Sequence, residues 1–84
     1  MTNVFLSPHA QRQIDRLPKD IRARVLKLIK RLQFWPEVSG VKPLSGRLAG
    51  RFRMRTGDYR LQFYVKTNYI FIEKIGHRAG FYKE

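Results

Sequence analysis

The chain has 84 residues, 18 of them Lys or Arg against six Asp or Glu, for a formal net charge of +12. Such a length supports one domain, residues 1–84, whose core buries roughly 60 to 65% of the unfolded surface. There is no cysteine, so disulfide staples and Cys-based zinc sites are excluded. The charge calls for an anionic partner, whether nucleic acid, an anionic membrane or an acidic protein. Eleven Arg against seven Lys favour nucleic acid, because a guanidinium fork grips phosphate at two points and stacks on bases. No apolar run approaches the ~18 residues that span a bilayer, and no signal peptide precedes Phe5. The expectation is a cytoplasmic protein with no membrane partner.

In chain order, Asn3 to Leu6 reads as a short strand, and Ser7-Pro8 opens a helix with Ser as N-cap and Pro at the first helical position. Ala10, Ile14 and Leu17 recur at helical spacing until Pro18 interrupts. A second helix follows, because Ile21, Val25, Leu28, Ile29 and Leu32 form one stripe. Its Arg22, Arg24, Lys27, Lys30 and Arg31 are read as a solvated face, and Trp35-Pro36 as its stop. Phe34 and Trp35 are expected to plug the core. Residues 37–50 carry Ser39-Gly40, Pro43 and Ser45-Gly46 and read as a loop crossing to a sheet. Three strands then follow, Arg51 to Thr56, Tyr59 to Val65 and Tyr69 to Ile75, joined tightly enough to form an antiparallel meander. In the middle strand Leu61 and Phe63 share an apolar face and Arg60, Gln62 and Tyr64 the other. In the last, Phe71 and Ile75 oppose Ile70 and Ile72, so its period leaves the inner face open. Asp58 closes a turn with Gly57, and Glu73 pairs with an arginine of an adjacent strand. The fold class is α+β: two N-terminal helices packed on one face of a three- to four-stranded, mainly antiparallel twisted sheet, with the first strand at an edge.

Alternation puts Arg51, Arg53 and Arg55 on one face of their strand and Phe52 and Met54 on the other. Like charges so aligned repel unless something negative lies across them, so this face, joined by Arg60, is an anion cradle suited to a phosphate backbone. An acidic partner chain would satisfy the same charges. Beyond the last strand, Gly76-His77-Arg78-Ala79-Gly80-Phe81-Tyr82 places a histidine, an arginine and a tyrosine on a flexible end.

Leu44-Ser45-Gly46, Gly50-Arg51-Phe52-Arg53-Met54-Arg55, Gly57-Asp58-Tyr59-Arg60-Leu61 and Gly76-His77-Arg78 with Tyr82 resemble the RelE/ParE superfamily of toxins over nearly the full chain. The resemblance implies a βααβββ fold and a toxin of a type II toxin-antitoxin pair, most like the RelE branch, whose members cut messenger RNA in the ribosomal A site. It implies a cognate antitoxin, the ribosome and mRNA as partners, and no cofactor. Its cleavage set falls on Arg53, Arg55, Arg60, Arg78 and Tyr82. Arg51, Lys42, Arg47 and Lys74 are expected to add RNA contacts. The ParE branch poisons DNA gyrase and lacks this set. A binding module without catalysis is the third reading.

Cutting RNA through its 2'-hydroxyl needs a base, cations around the phosphorane and an acid for the leaving oxygen, and it needs no metal. Arg53 and Arg60 suit the phosphorane, Arg78 the leaving oxygen, and Tyr82 a base stack or proton transfer. An arginine, which holds its proton throughout the accessible pH range, is a poor base. His77 is the alternative, since imidazole titrates near 6.5. Six carboxylates without metal-ligand spacing argue against a paired-carboxylate hydrolase and a metal nuclease.

Overall fold

The computed structural model describes residues 1–81; Tyr82 lies outside the described residues. The elements are β1 (Asn3–Leu6), α1 (Pro8–Asp15), α2 (Lys19–Arg31), β2 (Lys42–Pro43), β3 (Arg51–Thr56), β4 (Tyr59–Lys66) and β5 (Tyr69–His77), with 3-10 turns at Leu32–Phe34 and Gly46–Leu48. They form the expected α+β fold, but the sheet has five strands in the order β1-β5-β4-β3-β2. Two features separate it from a simple meander. β1 runs parallel to β5, which its remote connection through the helices permits. β2, inside the region read as a loop, pairs Lys42 with Arg53 and Pro43 with Phe52; a two-residue edge strand tolerates proline because no further strand asks for its N–H.

The α1 start is as expected, and it also closes an edge. Ser7 Oγ accepts from the Ala10 amide at 2.9 Å and donates to the Glu73 carbonyl at 2.7 Å. Gln13 Oε1 accepts from the Ile75 amide at 2.6 Å. Beyond Leu6 the backbone of β5 has lost its strand neighbour, and these α1 groups supply the missing partners. Arg22 Nη2 donates to the carbonyls of Asp15 and Leu17, and Arg31 Nη2 to that of Ser39, so two of the α2 cations tie down the end of α1 and the following loop rather than simply face water.

One core lies between the helices and the sheet. Ala10, Ile14, Val25, Leu28 and Leu32 meet Met54, Leu61, Phe63, Ile70, Ile72 and Ile75. Trp35 packs edge-on against Phe52 at 5.2 Å and Phe63 at 5.6 Å. Phe34 is not part of this plug and is 58% exposed. The α-helix ends at Arg31, and the tighter turn that follows repeats every three residues, so Leu32 and Trp35 turn inward together and Phe34 turns out.

The slipped period of β5 has a structural cause. Phe63 pairs with Ile72 but Gln62 pairs with Lys74, leaving Glu73 as a bulge. Ile70 and Ile72 face the core before it and Ile75 after it, while Glu73 and Lys74 both reach the open face. Among the described residues, no helix is long and apolar enough to cross a membrane.

Candidate nucleic-acid interface

The face of the sheet turned away from the helices is built in rungs. Arg51 stands opposite Tyr64, Arg53 opposite Gln62, and Arg55 opposite Arg60. The Gly57-Asp58 loop sets this register: Gly57, at φ 57°, takes the left-handed geometry that lets a two-residue loop join β3 to β4. Two guanidinium groups therefore share the rung beside the turn, an arrangement that is unfavourable without an anion. Lys42 stands opposite Arg53 on the other side, and Lys42, Arg53 and Arg55 line a groove of about 380 Å³. Lys74 shares the Gln62 rung. Arg47 stands off the sheet, exposed on the Gly46–Leu48 turn.

Arg60 has a buried Nη1 with no hydrogen-bond partner in the protein. A guanidinium nitrogen so placed has given up water without a replacement, which is costly unless a ligand supplies an acceptor. Gln62 is 4% exposed and sits in the centre of the face. Its Nε2 donates to Glu73 Oε1 at 3.2 Å, and Arg51 Nε donates to the same oxygen at 2.7 Å. Glu73 thus reaches past β4 to an arginine two strands away, rather than to an adjacent strand as expected. It is the only acidic residue in β3, β4 and β5.

The tail through Phe81 is docked rather than loose. The Arg78 amide donates to the Asp58 carbonyl at 2.8 Å, and Arg78 Nε lies 3.5 Å from Asp58 Oδ1. Asp58 therefore occupies the turn, as read, and also tethers the tail. Phe81 is 1% exposed. Lys74 Nζ donates to its carbonyl and lies 4.4 Å from its ring centroid. The ring packs beside Gly76, on the Arg60 rung, where a Cβ would stand at an ordinary contact distance of 3.6 Å from Phe81 Cδ1.

Register brings Arg53, Arg55, Arg60, Lys42 and Lys74 together with Arg51, and the tail sets Arg78 at the adjoining turn. His77 is not brought to this face. It pairs with Tyr59, its ring edge-on at 5.4 Å, on the opposite side of the sheet from Arg60. Its Nδ1 accepts from the Ala79 amide at 3.1 Å. Gln62, Glu73 and Phe81 were not singled out as site residues from sequence; the slipped period of β5 was the one available signal, for Glu73. Among the described residues no three His, Asp or Glu side chains gather as metal ligands.

Two helices on a mixed sheet whose open face is an arginine field define a small α+β protein with a strongly cationic sheet face. Residues 4–82 match the family described as ParE toxin of type II toxin-antitoxin system, parDE, and the chain belongs to that family. A chain of the toxin-antitoxin complex RelBE2 from Mycobacterium tuberculosis is 32% identical, with TM-score 0.80 and coverage of 93% of this chain and 92% of that one. A chain of the archaeal RelE-RelB complex from Pyrococcus horikoshii OT3 is 29% identical, with TM-score 0.75 and coverage of 93% and 97%. The isolated E. coli RelE toxin shares the fold at 15% identity, with TM-score 0.76 and coverage of 92% and 84%. No curated protein matches the chain. The protein is a type II toxin-antitoxin toxin of the RelE/ParE/YoeB fold.

Proposed function

We propose that the protein is a metal-independent endoribonuclease, a toxin that cuts mRNA in the ribosomal A site in the cytoplasm and is restrained by a cognate antitoxin. The observation that carries this reading is the Arg55–Arg60 rung with its buried, unpartnered Arg60 Nη1. In the proposed reaction the 2'-hydroxyl loses its proton, its oxygen bonds to phosphorus, the bond from phosphorus to the 5'-oxygen breaks, and that oxygen takes up a proton. Arg60 and Arg53 hold the phosphorane oxygens with donors that never lose their charge. Arg55 extends the cradle, Arg78 serves the leaving oxygen, and Tyr82 is assigned to stacking or proton transfer. Arg51, Lys42, Arg47 and Lys74 contact flanking phosphates. With His77 on the Tyr59 side, the rate rests on substrate positioning and charge stabilisation more than on a strong base, which suits a reaction that needs the ribosome. An antitoxin neutralises the toxin by covering the cationic face with acidic groups or by drawing the tail away.

The family match favours a second reading, a gyrase poison. Expression without antitoxin separates the two. The first predicts new 5' ends in ribosome-bound transcripts; intact transcripts with arrested replication select the second.

A further inference from the structure

At the end of the open face remote from Gly76, the arginine field gives way to rings. Phe5, Tyr69, Phe71 and Tyr64 point away from the core, because their neighbours Val4, Leu6, Ile70, Ile72, Phe63 and Val65 pack into it. Phe5 stands beside Phe71, Phe71 opposite Tyr64, and Tyr64 opposite Arg51, so the strip crosses three strands and ends at a guanidinium on the fourth. Tyr64 and Phe71 lie 5.4 Å apart with their planes tilted by 30°, a paired aromatic patch. Phe5 meets Tyr69 edge-on at 5.6 Å and is 52% exposed. Lys66 Nζ lies 5.6 Å from the Tyr64 centroid, and Arg51, Tyr64 and Lys66 border a groove of about 380 Å³.

We propose that this strip is a base-stacking platform for single-stranded RNA, continuous with the phosphate cradle. The inference rests on the RNA reading above and extends it to bases flanking the bound phosphate. Tyr64 is four residues along β4 from Arg60, roughly 13 Å at ~3.3 Å per residue. A strand whose phosphate sits at Arg60 therefore reaches these rings within a short run of nucleotides. Charge complementarity selects the occupant. An acidic peptide would use Arg51 and Lys66 but gain little from the paired rings, whereas a single strand uses both, with phosphates on the cations and bases on the rings. Such stacking is tolerant of sequence, since every base has a π face.

The test uses the purified chain and a short RNA, 2'-O-methylated to prevent cleavage and carrying 2-aminopurine, whose fluorescence falls on stacking. The wild type is expected to quench the probe. Tyr64→Leu and Phe71→Leu should each weaken binding by about 5- to 150-fold and lose the quench. Tyr64→Phe should retain both, which separates loss of the ring from damage to the sheet. Wild-type binding and quenching by a folded Tyr64→Leu variant would overturn the proposal. So would unchanged quenching with loss of antitoxin binding alone, which would make the strip a protein-docking face. The cleavage reading can fail separately: a Tyr64-dependent quench without any RNA cleavage keeps the platform and removes the nuclease. Intact cleavage with a quench indifferent to Tyr64 and Phe71 does the reverse.

Discussion

Glu73→Gln is expected to cost stability while strengthening RNA binding, because it removes charge and almost nothing else. Two donors converge on Glu73 Oε1, Arg51 Nε at 2.7 Å and the buried Gln62 Nε2 at 3.2 Å. The amide oxygen can still accept from both but the variant gives up the only negative charge on the three central strands, facing Arg51, Arg53, Arg55, Arg60 and Lys74. A hydrogen bond to a charged group contributes about 1.5–3 kcal/mol and a neutral one about 0.5–1.5, a difference of ~1 kcal/mol. The Arg51 side chain is 36% exposed and that of Glu73 23%, so solvent screening keeps the loss near that figure. For a domain of this size ~1 kcal/mol lowers Tm by about 4–8 °C. Thermal unfolding at low salt should show that drop, and at ~1 M NaCl, where the Debye length is about 3 Å, the gap should narrow. The salt dependence of RNA binding should steepen by up to ~0.7 in logarithmic slope, one further phosphate neutralised on a single strand. A variant as stable as the wild type at low salt, or a gap indifferent to salt, would refute the view that Glu73 holds the arginine field together.

Phe81→Ala should release the tail. Losing a fully buried ring costs about 3 kcal/mol, so hydrogen-exchange protection of the Arg78 and Gly80 amides should fall roughly 100-fold. Unchanged protection there would show that the Asp58 contacts suffice. Ser7→Ala should cost about 2 kcal/mol in urea unfolding, since one hydroxyl caps α1 and also satisfies the Glu73 carbonyl on β5. A loss below about 0.5 kcal/mol would mean that water replaces both bonds.

The outcome divides along the range of the forces involved. The Ser7-Pro8 helix start and the Arg55–Arg60 rung follow from residues near one another in the chain, through a cap and a two-residue loop. Both were legible. The bulge at Glu73 was visible only as a slipped period, because periodicity records that a face changes without saying where the chain then points. The parallel seat of β1, the Lys42–Pro43 strand and the Arg51–Glu73 pair depend on which strands become neighbours, which local spacing does not encode. Phe34 was misplaced because a helix and a 3-10 turn orient the same three residues differently. Phe81 looked like part of a loose end, yet its ring is buried beside Gly76 on the finished sheet. His77 sits in sequence among site residues, but alternation sends its ring to the other face.

The most direct test of the central claim is the cleavage rate of Arg60→Ala on mRNA held in the ribosomal A site, measured beside its RNA affinity. Loss of one preorganised donor to the phosphorane predicts a fall of about 10²- to 10³-fold in the rate of the bound complex, with a much smaller loss of affinity. Cleavage at the wild-type rate once the RNA is bound would contradict it, leaving Arg60 as a phosphate contact and the arginine field as a binding surface alone.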